Sequence, residues 1–470
     1  MGGSQNEDLR VDFDSRWLSC DSGRYPFAHR FTPITPISIA ILPGLCYEGL
    51  RRYEMTPIRR LSLSAAIAIA LSSYADAANI YFPSGGSNPT ANPPYNPDEF
   101  TVNQPIGSSN SADLIVVGYA HDSTNAFPLP YPFRAPYKTT VNILENGSFL
   151  SNTNIHSGST VNLFPGSLIS RNVNLFDDST LNVTDATLGN TVNVQNTATL
   201  NLTSATMPFG SIILNTSSKA TLTNSSLLGT VTAGNTSSAT LTGSSAGRLV
   251  VQDLANATMT GGSLRTDALA TGTGTLELSG VAIGFGVVAG NFAVISVSAG
   301  TIGGDATANH FSTIALGDRV TVQGNAVALG GTIVLQNATV DGNLDVASTT
   351  GVRVGGTGIG LMSGGLVRGD LLAHGDASAI VSGGTIEGAA FAYGRSRLSI
   401  TGPDVLLTSL YSIDQAAAYL IDGGVSGGIL ANGGTIDVSG GFSRRGGGGT
   451  RRPAALSAQQ SMQLRTLLSS

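Results

Sequence analysis

The sequence predicts an all-β chain organised as one right-handed parallel β-helix, a solenoid of about 15 coils, with irregular or disordered ends. Three observations predict it. A phrase of the form Thr-apolar-polar-apolar returns at a step close to 19 residues. The composition suits short strands joined by tight turns, with 60 Gly in 470 residues and abundant Val, Ile, Thr, Ser and Asn. Charged residues are only 11% while hydrophobic residues reach 41%. That balance supplies a core and is unlike a disordered chain, which is charge-rich and apolar-poor.

The repeat is the strongest of these. Its first members are Thr140-Val-Asn-Ile, Thr160-Val-Asn-Leu, Thr180-Leu-Asn-Val and Thr199-Leu-Asn-Leu. Thr221-Leu-Thr, Thr240-Leu-Thr and Thr258-Met-Thr follow, then Thr275-Leu-Glu-Leu, Val294-Ile-Ser-Val, Thr313-Ile-Ala-Leu and Thr332-Ile-Val-Leu. The steps between these starts are 20, 20, 19, 22, 19, 18, 17, 19, 19 and 19. Val352-Arg-Val, Leu398-Ser-Ile, Ala418-Tyr-Leu-Ile and Thr435-Ile-Asp-Val are weaker members, and residues 356–397 read as an irregular interruption.

Each phrase alternates polar and apolar, the period of a strand with one buried face. Gly, Asn or Ser usually follows, as in Ser279-Gly280 and Gly317-Asp318, and suits corners that need positive φ. A unit of about 19 residues is too short for a strand–helix–strand unit of about 30 residues and fits one coil of three short strands. A β-sandwich or barrel would place strands every 8–12 residues or so, without one phrase recurring at a fixed step. One coil cannot bury its inward Leu, Ile and Val alone. Stacked at about 4.8 Å per strand, some 15 coils would extend roughly 75 Å.

Around this solenoid, residues 139–441, the remaining segments differ. Residues 78–138 are rich in Pro and read as a leader plus an N-terminal cap, with Ala112 to Tyr119 as a capping strand. Residues 442–470, with Arg444, Arg445, Arg451 and Arg452 among glycines, read as a disordered tail with a short helix from Pro453. Residues 55–77 have the three-part layout of a secretory signal: Arg59 and Arg60, an apolar run from Leu61 to Leu71, and a small-x-small cleavage site at Ala75 and Ala77, leaving Ala78 first in the mature chain. The apolar run is shorter than the roughly 20 residues of a membrane span, so no transmembrane segment is expected in the mature chain. Because signals begin chains, synthesis is expected to start at Met55. Residues 1–54, which hold Cys20, Cys46 and Trp17, are then an upstream segment outside the protein.

A net charge of −6 and a pI of about 5.3 argue against nucleic acid or anionic lipid as the main partner. With no Cys after residue 46, neither a disulfide framework nor a thiolate metal site is expected in the solenoid. No cofactor, calcium-loop or phosphate-loop motif is present.

The signal at Met55–Ala77, the cysteine-free coils, the Thr-Leu-x-Leu starts and the Ser363-Gly-Gly and Ser382-Gly-Gly endings together resemble the passenger of a type V secretion autotransporter, of the pertactin-like or pectin-lyase-like β-helix kind. The resemblance covers about two thirds of the chain. It implies a secreted or surface-exposed adhesin-like protein that binds a host-cell protein or glycan. Such a protein ordinarily ends in a membrane β-barrel of many strands of about 10 residues. No such segment follows the last coil here, so a separate outer-membrane translocator is expected. The periplasm is the destination without one, and a truncated, non-functional passenger is the alternative.

Catalytic residues are not expected. A β-helix can carry a polysaccharide lyase or hydrolase site, for which Asp341 and Asp345, with Asp318 and Arg319 one coil earlier, are the candidates; solvated carboxylates at turns are the reading preferred for them. His121-Asp122-Ser123 is contiguous, whereas a serine-protease triad is assembled from distant segments. Arg368-Gly369-Asp370 is a candidate ligand-binding tripeptide of the integrin-recognised kind if its turn protrudes, and a coil corner otherwise. The sequons at Asn182, Asn201, Asn215, Asn235 and Asn256 follow from Asn- and Thr-rich turns rather than glycosylation.

Overall fold

The computed structural model describes residues 80–82, 100–104, 109–110, 114–117, 138–156, 158–349 and 356–439, all within the unit Asp76–Ser470. The signal region with Ala75, Ala77 and Ala78, residues 1–54, the tail from 440, Val352-Arg-Val and His121-Asp122-Ser123 lie outside the described residues.

The described chain is an all-β parallel solenoid of about 15 turns, and no helix occurs in it. Each coil lays one strand on each of three faces. In the coil that opens at residue 139 these are Thr139–Ile143 on the first face, Ser148–Phe149 on the second and Asn152–Ile155 on the third. The next coil repeats them as Thr160–Leu163, Leu168–Ile169 and Val173–Leu175, each paired in parallel with its predecessor. Among the described residues every strand pairing is parallel, and two isolated bridges, Asn309 with Gly330 and Ile413 with Gly433, are antiparallel.

Alternation decides what is buried. In Thr180–Thr184 the inward Leu181 and Val183 are buried while Thr180 and Asn182 face out. In register, Leu181 stacks on Val161 and under Leu200, and Val183 on Leu163 and under Leu202. The core is therefore a set of columns running through all coils, each coil covered by the next.

The corners are equally regular. Three residues before each first-face strand the backbone turns left-handed, at Asp177, Asn196, Thr216, Asn235, Asp253, Gly272, Asn291 and His310. The turn after the first face, the first corner of each coil, is also left-handed, at Asp185, Ser204, Asn224, Gly243, Gly261 and Gly280. The turn between the second and third faces is the second corner, and the turn back to the first face is the third. This explains the Asn, Asp and Gly content, since these residues tolerate positive φ best.

Three sequence expectations change. First, the steps of 22 and 17 are a two-residue slip. Thr221 is level with Asn201, and the true first-face start is Lys219, level with Thr199. From Thr160 to Thr275 the steps are 20, 19, 20, 19, 18 and 19. The slip kept the correct face because strand periodicity is two. Second, residues 359–400 are not an interruption: Ile359–Val367 pairs with Thr332–Leu335 and Thr339–Val340, and Ser378–Ala392 stacks on it. The extra length lies between Ala347 and Ile359. Gly360 occupies the inward position held by Ile333 one coil below. A Cβ there would lie 2.5 Å from Val346 Cγ2, so the larger Val346 takes the space and the apolar phrase disappears from the sequence. Third, the ladder begins before residue 139. Leu114–Val117, inside the expected capping strand, pairs with Asn152–Ile155, and Ile80–Phe82, Phe100–Gln104 and Ser109–Asn110 are also paired in parallel.

Candidate functional site

In a solenoid, residues one coil apart in sequence are neighbours in space. Many outward side chains are small and uncharged. Single exposed aromatics such as Phe209 and Phe285, the stacked Phe292 and Phe311 and the Arg248–Asp267 pair stand on other coils. Charged pairs and stacked rings are densest in one region. It spans the second corner, third face and third corner of the coils between Asp341 and Ile413. Its strands are Leu344–Ala347, Leu371–His374, the end of Ser378–Ala392 and the end of Leu406–Ile413.

Two Arg–Asp ion pairs and a His–Asp contact gather here. Arg368 Nη1 donates to Asp341 Oδ1 at 2.5 Å across the second corner. Arg395 grips Asp376 with two nitrogens, Nε–Oδ1 at 2.8 Å and Nη2–Oδ2 at 3.1 Å, across the third corner. His374 Nε2 lies 3.6 Å from Asp345 Oδ1 on the third face between them. That Oδ1 is buried without a hydrogen-bond partner. Burial pushes the Asp345 carboxyl above its ordinary range, and the neighbouring His374 partly opposes this.

Beside these pairs runs a raft of near-parallel rings. His374 stacks on Tyr393 at 4.9 Å and 2°, Tyr393 neighbours Phe391 at 5.7 Å and 12°, and Phe391 stacks on Tyr411 at 4.7 Å and 11°. The order follows from register, since Leu372, Phe391 and Tyr411 are level outward positions of successive coils. Burial raises the Tyr393 hydroxyl pKa, and the nearby Asp370 carboxylate raises it further. The lengthened segment between Ala347 and Ile359 joins the ladder at the same place: Ser348 N donates to His374 O, and Asp376 N donates to Ser348 Oγ at 3.0 Å.

The expected tripeptide sits at the second corner, level with Asp341-Gly342-Asn343. Arg368 is exposed, Gly369 and Asp370 half-buried. Asp370 belongs to a column of side-chain oxygens that each accept a backbone N–H from the coil above. Asp305 Oδ1 accepts from Asn325, Asn325 Oδ1 from Asn343, Asn343 Oδ1 from Asp370, and Asp370 Oδ1 from Ala389, at 2.7–2.8 Å. Gly369 is required there, because a Cβ would fall 2.2 Å from Asn343 Oδ1. The tripeptide therefore lies on a regular coil corner rather than on a protruding turn.

The proposed acid cluster is dispersed. Asp318, beside Arg319 at the first corner, accepts from Asn337 Nδ2 at 2.8 Å; Asp341 is at the second corner and Asp345 on the third face. A shared site would need them on one face, and the step from Asp341 to Asp345 carries the chain from a corner onto the third face. Of the sequons, Asn182 and Asn201 stand in a side-chain ladder on the first face. Neither of the two Gly-x-Ser-x-Gly spacings, Gly243 to Gly247 and Gly424 to Gly428, is a nucleophile elbow. Ser245 lies on a second-face strand and its Oγ donates to Ser226 Oγ at 3.2 Å. Ser426 directly follows the strand Gly424–Val425 and its Oγ donates to Leu407 O at 3.3 Å. Among the described residues no group of three or more His, Cys, Asp or Glu is placed to hold a metal ion, and no helix is long and apolar enough to cross a membrane.

His374, Tyr393, Phe391, Tyr411 and the Asp376–Arg395 pair escaped the sequence reading. The signal was present: His374 to Tyr393 and Asp376 to Arg395 are each one 19-residue step. It becomes readable only once this stretch is recognised as regular coils. No family model, curated protein or solved structure matches the chain.

Proposed function

We propose that the chain is an exported, surface-displayed β-helical rod, resembling an adhesin-like autotransporter passenger, which binds a host-cell protein or glycan through its third-face patch. The observation that carries this reading is convergence. Ion pairs, the aromatic raft and the lengthened coil coincide on one side of the coils between Asp341 and Ile413. In solenoids, insertions map to one side, often the binding side, and the half-buried aromatics and exposed Arg side chains of the patch are types enriched where proteins bind. A signal read at residues 55–77 supports export, and a separate translocator would complete surface display.

Fractionation of cells expressing the full reading frame, with mass spectrometry of the product, tests the export half. A chain beginning near Ala78 at the surface or in the medium is expected. Retention in the cytoplasm with the N-terminal segment intact would sink it. A carbohydrate-active enzyme is the second reading, favoured by the half-buried Asp345 beside His374. Under that reading the chain releases new ends from a polysaccharide, and Asp345→Asn abolishes the release.

A further inference from the structure

The first face between residues 139 and 260 carries a different surface. Seven successive strands, from Thr139–Ile143 to Asn256–Thr260, stack without a register break. Their outward positions form a grid of rows such as Thr180-x-Asn182-x-Thr184 and Ser238-x-Thr240-x-Thr242. From Thr180 to Thr260 every outward residue of the grid is Thr, Asn or Ser except Lys219. In the two coils before it the third position is taken by Leu144 and the exposed Phe164, so the full three-column grid spans five coils. Beyond it the pattern ends: Glu277, Val294, Ala315 and Val334 take the equivalent positions.

We propose that this hydroxyl-and-amide grid binds a lattice of ordered water, and that the protein adsorbs to ice. Three features point to that occupant. The first is spacing. Coils repeat at about 4.8 Å. Waters bonded at about 2.75 Å in a tetrahedral network place second neighbours about 4.5 Å apart. One row of the grid therefore follows one row of the lattice. The second is rigidity. Asn162 Nδ2 donates to Asn142 Oδ1 at 2.8 Å, Asn182 to Asn162 at 2.9 Å and Asn201 to Asn182 at 2.8 Å. These bonds fix the amides, and the β-branched Thr side chains are stiff at χ1. The grid is thus ordered before water meets it. The third is charge. An uncharged lattice is matched by a surface without carboxylates, whereas the third-face patch is strongly ionic.

The test uses the purified full chain. Ice is grown slowly from its solution, and the protein content of ice and liquid is compared. Enrichment in ice is expected for the wild type. Thr221→Tyr/Thr240→Tyr, two exposed positions in the middle of the grid, is expected to abolish it, with an unchanged circular dichroism spectrum. Thr301→Tyr, exposed on the second face, is expected to leave it intact. Exclusion of the wild type from ice overturns the proposal, as does undiminished enrichment of the double variant. Neither outcome bears on ligand binding at the third face.

Discussion

Ser179 and Ser218 show how single positions follow from stacking. Both are fully buried just before a first-face strand, and neither hydroxyl has a hydrogen-bond partner. Level positions in neighbouring coils carry Ala198, Ala255 and Ala293. Ser218→Ala should therefore be neutral or stabilise by up to about 1 kcal/mol, because a buried unsatisfied polar atom is removed. Asn182→Ala should do the reverse and destabilise by about 1 kcal/mol, since it breaks two ladder bonds. Chemical denaturation of the two variants checks both signs. His156, stacked on Phe176 at 4.5 Å, is held down to about 4 from 6.5, chiefly by burial, with Asp177 opposing. The unfolded chain takes up this proton near pH 6.5 and the folded one near pH 4. Its contribution to stability is therefore whole above pH 6.5 and is lost as pH falls towards 4. Melting temperature against pH should fall less steeply over that window for His156→Phe than for the wild type.

At the scale of the element, the second corner is a column of Asp and Asn oxygens rather than a set of loops. Asp370→Ala leaves the Ala389 N–H without its acceptor and should destabilise by about 1–2 kcal/mol. Gly369→Ala should match or exceed that, because its Cβ displaces the Asn343 oxygen. If Gly369→Ala unfolds at the wild-type denaturant midpoint, the column has no structural role. The same corner shows what a sequence can reveal. Strand identity and inward faces were legible because Thr-Leu-x-Leu alternation and fixed steps survive even a two-residue slip. Corner chemistry was legible in kind, since positive φ selects Gly, Asn and Asp. The coils at Ile359 and Ser378 were not. Gly360 replaces an inward Ile to make room for Val346, so a compensation between two coils erased the local pattern. The patch followed it into obscurity, because His374 and Tyr393 become neighbours only in the correct register.

At the scale of the whole molecule, coils touch only adjacent coils, so stability is a sum of coils and junctions. Leu200→Ala, in the middle of a continuous core column, should cost about 2–5 kcal/mol at its own junctions. Hydrogen exchange should report faster opening in the coils flanking residue 200, with the coils beyond Ile359 unchanged. A solenoid divided in this way can carry separate surfaces, a polar grid on the first face and an ionic, aromatic patch on the third. The patch is central to the functional account. The most direct measurement is binding of labelled full chain to host-cell surfaces and an immobilised glycan panel, wild type beside Tyr393→Ala/Arg395→Ala. Both side chains are outward and neither belongs to a core column, so the solenoid should stay folded. Wild-type binding to at least one surface is expected, with its loss in the double variant. Equal binding by the two proteins, or none by the wild type, would contradict it.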